Sequence, residues 1–264
     1  MSDCIDKTIN LKALIYKISA VSDRGQRLNA MVAPIYQEKL IEMESIVLEL
    51  ITYSKKITEK SIEGEWELIY SSVELFRSSP FFLAIEKALN NKSRSDLFFK
   101  LHLLQVGSFG LSTVGRVGQN LDFEKGEILS FFDTTIFGLT TIPILGWFKL
   151  LPTFGGRVIT LAKGLRLTKE NKLIMELDKT KVSAVNGLRK IPLLHKILME
   201  KWYPVNIVWK LLPWNKEDPN CEVTIIYVDD DMRIVKDIYG ALFIYIRSSL
   251  SRANQQEIMG SPAK

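Results

Sequence analysis

The side chains best suited to chemistry are few and scattered along this chain. It carries two histidines, His102 and His195, and two cysteines, Cys4 and Cys221. None of the four has a second ligand at the spacing of a zinc site. There is no Gly-x-Ser-x-Gly elbow and no His-Glu-x-x-His pair, so acyl transfer and zinc hydrolysis lack their usual motifs. The acidic run Asp229-Asp230-Asp231 could attract a hard cation, but such sites take further oxygens from a loop of defined spacing, and no EF-hand pattern surrounds it. A hairpin turn with Arg233 as its counter-charge is the expectation. The glycines between Val106 and Gly118 superficially suggest a phosphate loop, yet a strand pattern follows where a helix should. They are expected as turn or bulge glycines, and His102 as a surface residue on the polar face of a strand. No catalytic residue, metal or cofactor is assigned, and the chain is expected not to be an enzyme.

The densest unusual feature is the segment from Gly187 to Lys216. It holds Arg189, Lys190, Lys196, Lys201, Lys210 and Lys216 against one acid, Glu200, interleaved with Trp202, Tyr203, Trp209 and Trp214. Lysines meet anionic headgroups, while indole rings sit comfortably between water and acyl chains. Lys196, Lys201, Trp202, Tyr203, Trp209, Lys210 and Trp214 are therefore the expected membrane-contact residues. The competing reading is a lid helix opened by Pro192 with its tryptophans packed in a core.

These residues must be positioned by two kinds of element. Leu11, Leu14, Ile15 and Ile18 recur at helical spacing before Gly25, and Leu40, Met43, Val47 and Leu50 repeat the pattern, which predicts two amphipathic helices within residues 1–60. From Glu63 the period becomes two: Trp66, Leu68 and Tyr70, then Phe99, Leu101 and Leu103, then Val117, Gln119, Leu121 and Phe123. Further strands are expected at 128–136, 158–167 and 172–177. A terminal meander follows, with Val223–Val228, Met232–Lys236 and Ala241–Arg247 separated by Asp- and Gly-bearing turns. Eight or nine short antiparallel strands predict a mainly β fold with N-terminal helices, as a closed barrel or a sandwich. Residues 61–250 are expected to form the β domain and 251–264 a flexible tail.

Composition narrows the partners. Hydrophobic residues are 47% and charged residues 25% of 264, which excludes a disordered chain. A net charge of +5 favours an anionic partner without naming one. The two cysteines suit a reducing compartment. The apolar stretch from Thr134 to Phe148 carries Gly138, Pro143 and Gly146 and falls short of the roughly 20 residues a spanning helix needs. No secretory signal or transit peptide is visible.

The meander resembles the C-terminal signature of the plastid-lipid-associated proteins, or fibrillins. Tyr227, Asp229, Asp231, Arg233, Ile234, Gly240, Leu242 and Phe243 fall at matching positions without a gap. Val235, Lys236, Asp237 and Ile238 depart from the family's usual Ser-Arg-Gly-Asp. Gly64-Glu65-Trp66-Glu67-Leu68-Ile69-Tyr70-Ser71-Ser72 is similar to the family's first strand, with Phe76 to Phe82 and Asp23-Arg24-Gly25 as further anchors. The resemblance implies a lipocalin-like antiparallel β-barrel that holds an apolar molecule such as a prenylquinone, carotenoid or acyl lipid. It favours a pocket over a plain core for Trp66, Tyr70, Phe99, Leu101, Phe123, Phe132, Tyr227 and Phe243. It also implies a plastid location, at thylakoid or plastoglobule, or a cyanobacterial thylakoid or cytoplasm. The partners would be the ligand and an anionic membrane surface, with no nucleic acid. A structural adaptor with a filled barrel, binding a protein through the basic aromatic segment, is the alternative.

Overall fold

The computed structural model describes residues 2–27, 34–108, 113–137, 153–186, 201–205, 209 and 218–248. Among these are the helices α1 (Ser2–Val21), α2 (Pro34–Ile51) and the short α3 (Glu59–Ile62). After the first strand come a 3₁₀ turn at Leu75–Ser78 and the helices α4 (Pro80–Leu89) and α5 (Lys92–Ser108). The strands are β1 (Gly64–Ser71), β2 (Thr113–Asp122), β3 (Glu127–Phe137), β4 (Thr153–Leu167), β5 (Lys172–Asn186), β6 (Tyr203–Pro204), β7 (Asn220–Val228), β8 (Met232–Lys236) and β9 (Leu242–Arg247).

The sheet is antiparallel throughout, in the order β4-β3-β2-β1-β9-β8-β7-β5-β6, and β4 pairs again with β5. That last pairing closes the sheet into a ring and removes the edge that β4 would otherwise expose. The fold is thus mainly β with N-terminal helices, as the periodicities predict.

Two apolar clusters flank the ring. The inner one gathers Trp66, Leu68, Val117, Leu121, Ile128, Leu173, Met175, Val223, Ile225, Val235, Phe243 and Tyr245, with Leu83, Ala84 and Ile85 of α4. The outer one sets Leu11, Ile15 and Ile18 of α1 and Met43, Ile46, Val47 and Leu50 of α2 against Tyr70, Tyr227, Met232, Ile234, Leu242 and Ile244. β8 is therefore covered on both faces, and Met232, Arg233, Ile234 and Val235 are all buried. Register shifts between Leu68 and Tyr70 on β1 and between Ile225 and Tyr227 on β7 reverse the side-chain parity. They turn both tyrosines outward against the helices.

The α1–α2 unit is tied to the ring at two places. The loop after α1 takes positive φ at Asp23, Arg24 and Gly25. The Ser71 amide donates to Arg24 O, and the Arg24 guanidinium donates to the carbonyls of Val114 and Gly115. Gly25 is required here, because a Cβ would sit 2.1 Å from Ser71 O. At the other end Lys12 forms ion pairs with Asp229, at 2.5 Å, and with Asp231.

Three expectations need correction. Phe99 to Leu103 lie on α5 and not on a strand, because Asn91 caps this segment, its side-chain oxygen accepting from the Arg94 amide at 3.0 Å. The alternation of Phe99, Leu101 and Leu103 was a short apolar run that either period could use. His102 is accordingly helical and half-buried among the rings of Phe76, Phe82 and Phe98. The helices α4 and α5 were not anticipated, although Pro80 at the first position of α4 is a start signal.

The acidic turn at Asp229 is present, but its counter-charges come from Lys12 of α1 and Lys55 in the segment after α2. Asp229 builds the turn by accepting from the amides of Asp231 and Met232 at 3.1 and 2.8 Å, and the Tyr227 hydroxyl donates to its other oxygen. Burial alone would raise this carboxyl, yet hydrogen bonds from Lys12 and Tyr227 hold it below its usual range. Lys55 reaches the exposed Asp230 at 2.6 Å.

Lys12→Met leaves a largely buried carboxylate without its cation and should cost on the order of 1 to 3 kcal/mol of stability. Lys55→Met removes a solvent-exposed pair and should cost less than about 0.5 kcal/mol. Urea denaturation of the two variants checks the order, and equal losses would contradict the tie between α1 and the acidic turn.

Candidate functional site: a buried arginine under the capping helix

The register places several segments at one end of the ring. β3 ends and β4 begins there, at Phe137 paired with Thr153, and β5 ends beside Gly155, which pairs with Asn186. β1 also ends and β2 begins at this end, so α4 and α5, inserted between them, emerge there. α4 packs against β4, β5 and β7 and lends Leu83, Ala84 and Ile85 to the inner cluster. It caps the ring.

Beneath this cap lies Arg233, 1% exposed. β8 alternates, so with Met232 and Ile234 committed to the helices, Arg233 and Val235 must face inward. Its Nη2 donates to Gln119 Oε1 at 2.7 Å, while Gln119 Nε2 donates to Ser78 O and to the Tyr245 hydroxyl at 3.3 and 3.2 Å. The guanidinium lies over the rings of Trp66 and Tyr245, 4.9 and 4.7 Å from their centroids. Its Nε and Nη1 have no hydrogen-bond partner, and no carboxylate among the described residues offsets its charge. Burial lowers its pKa to about 10, which leaves it a cation at neutral pH. Tyr245 is pushed up to about 12 by the same burial and stays a neutral phenol.

A cavity of about 10 Å³ adjoins the guanidinium, room for roughly one water molecule. Ser78, Gln119, Arg233 and Tyr245 are its polar lining, and Pro80, Leu83, Leu173, Met175, Val223, Val235 and Phe243 its apolar one. This is a positively charged pocket lined mostly by apolar side chains.

The expected ligand-lining residues are dispersed by the fold. Phe243 lines the cavity and Trp66 stacks on Arg233, its indole N–H donating to Ile62 O at 2.8 Å. Phe123 and Phe132 pack against the inner cluster without reaching the cavity, while Phe99 lies under the Arg77 guanidinium, 4.1 Å from its centroid. Tyr70 and Tyr227 belong to the outer cluster, and Leu101 is 56% exposed on α5. Arg233 is not the counter-charge of the acidic turn. Gln119, Tyr245 and Met175 were missed as site residues, and the only cue to them was the inward parity of their strands.

Among the expected membrane-contact residues, Lys201 and Tyr203 are exposed, and Trp202 is half-buried with the amines of Lys179 and Lys181 at 5.0 and 4.8 Å from its ring. Trp209 is 3% exposed within the inner cluster, so it is a core residue and not a surface anchor. Lys196, Lys210 and Trp214 lie outside the described residues, as do 138–152 and the tail 251–264. No group of three or more potential metal ligands occurs among the described residues. Cys221 is buried and free, and burial raises its thiol to about 12.

α4 is held down by a second buried polar group. Arg77 Nη2 donates to Glu86 Oε1 at 2.6 Å, and Asp237, which shapes the β8–β9 turn through the amides of Tyr239 and Ala241, lies close by. Burial and the charge of Asp237 outweigh Arg77 and raise the Glu86 carboxyl to about 7. No protein-family model, curated protein or solved structure matches this chain.

The folded chain holds the Glu86 proton in a range where the unfolded chain, with an ordinary value of 4.5, has released it. The stabilisation is full below 4.5 and disappears as pH rises through about 7. His102, lowered by burial, acts in the opposite sense below its ordinary 6.5. The difference between wild type and Glu86→Gln isolates the carboxyl: wild type should lose on the order of 2 kcal/mol relative to the variant between pH 5 and pH 8. Urea titrations across that range decide it, and a pH-independent difference would rule the coupling out.

Proposed function

We propose that this protein is a non-enzymatic, lipid-associated protein of the fibrillin type, which docks on an anionic lipid surface and holds an apolar molecule inside a lipocalin-like barrel. One observation carries this reading. The apolar connector 138–152 and the basic aromatic segment that begins at Gly187 leave the sheet at the same end, next to the paired residues Phe137 with Thr153 and Gly155 with Asn186. Apolar area and positive charge combined on one face are what a peripheral membrane protein uses. Lys201, which is exposed, and the half-buried Lys179, its amine 5.0 Å from the Trp202 ring, add positive charge farther along β5.

The resemblance to the fibrillins supports the same reading, because its signature residues have definite physical roles. Asp229 forms the turn, Tyr227 and Asp231 help fix it, and Arg233 supplies the buried cation. By that resemblance the surface is a thylakoid or plastoglobule and the cargo a prenylquinone, carotenoid or acyl lipid. A second reading, an adaptor whose filled barrel presents the basic aromatic segment to a protein, draws on the small volume beside Arg233, about 10 Å³. Organic extraction of the purified protein with mass analysis separates the two. A stoichiometric prenyl or acyl compound supports the holder, and no such compound, with no uptake of added quinone or fatty acid, leaves the adaptor.

Phosphatidylcholine vesicles containing phosphatidylglycerol should carry the wild-type protein upward in a flotation gradient at low salt. Replacing Lys196, Lys201 and Lys210 by Glu should abolish that, since each basic residue near such a surface contributes about 1 kcal/mol. High salt should act like the substitutions. Trp209→Ala should instead lower stability by about 3 to 5 kcal/mol through loss of core packing. Flotation of the triple variant equal to wild type would exclude docking through these lysines.

A further inference from the structure

We infer that Arg233 is the receptor for the ionised head of an acidic lipid, so that the molecule held inside the ring is a single-chain carboxylic acid and not a neutral quinone or carotenoid. This rests on the proposed role of the barrel as a holder of apolar molecules and narrows its cargo. The guanidinium is 1% exposed, two of its three nitrogens lack partners, and aromatic rings take the place of a carboxylate beside it. A buried cation without an anion is a costly arrangement that an anionic ligand would relieve.

The surroundings suit a carboxylate with a hydrocarbon tail. Gln119 Oε1 occupies Nη2 and fixes the plane of the guanidinium, leaving Nη1 to donate to a head-group oxygen while the Nε–H points to the other side of the guanidinium. Leu83, Leu173, Met175, Val223 and Phe243 line the cavity beside it. The present space of about 10 Å³ takes only the beginning of such a ligand, so the chain must displace the flexible Met175 side chain and lift Leu83 with α4. α4 caps the end from which the docking segments leave, so an acid drawn from a lipid surface would pass beneath it carboxylate first. A neutral head group placed there would leave the cation uncompensated.

Calorimetric titration of the full chain with decanoate, decanol and a decyl-substituted benzoquinone tests this with one tail and three heads. Decanoate should bind about tenfold to a hundredfold more tightly than either neutral compound, the gain expected of a hydrogen bond to a charged group. Arg233→Met should erase that preference, and Arg233→Lys should retain part of it. Carboxyl-labelled decanoate followed by carbon NMR should titrate below its free value in the wild-type complex. Tight binding of the quinone or decanol with no preference for decanoate would overturn the inference and leave the apolar holder intact. Binding of none of the three would overturn both. The wild-type comparison stands alone if Arg233→Met fails to fold.

Discussion

The structure depends on burying the C-terminal meander on both faces. β8 and β9 supply Arg233, Val235, Phe243 and Tyr245 to the inside of the ring and Met232, Ile234, Leu242 and Ile244 to the helices outside. A strand so placed cannot slip by one residue without exchanging its two apolar sets and carrying Arg233 out of its aromatic cradle. The N-terminal helices are therefore not an appendage. They supply the outer wall that fixes the register and, through Lys12, the charge that lets the acidic turn sit against it.

The same constraint explains the disposition of charge. The acid-rich turn at Asp229 to Asp231 meets Lys12 of α1 in a largely buried pair with Asp229, and Lys55, after α2, in a solvent-exposed pair with Asp230 that contributes little. Arg233 has no such partner and lies in a medium where charge is poorly screened, so hydrogen bonding to Gln119 and two aromatic faces are its compensation. Arg77 and Glu86 repeat the arrangement closer to the cap, this time with a carboxyl whose own proton affinity has been raised. Several polar groups of the interior thus collect beneath α4, at the end of the ring that this helix caps.

That concentration connects the two halves of the proposed function. The strand ends that flank 138–152, and the end of β5 that precedes the basic aromatic segment, lie at the end that α4 caps. A molecule passing between a lipid surface and the interior would meet this helix first, and Arg233 after it.

The sequence by itself determined the helical and strand periods, the Asp and Gly turns of the meander, and the two amphipathic helices whose Leu11, Ile15, Met43 and Val47 are buried as their spacing requires, whereas Leu14, expected on the same stripe, is 39% exposed. Those features are local, governed by backbone geometry and side-chain period. Only the tertiary structure decided which face of each strand looks inward. Two bulges reversed Tyr70 and Tyr227, a capping asparagine turned the Phe99 segment into a helix, and Trp209 moved from an expected surface to the core. Arg233 is the sharpest case. In sequence it stands two residues from an acidic triplet, yet alternation along β8, once both faces are covered, points it away from those acids and into the ring. Proximity along the chain sets neighbours on one strand, but the face a side chain occupies depends on what packs against the sheet, and those partners, from α1 and α2 outside to Trp66 and Gln119 inside, come from residues more than one hundred positions away.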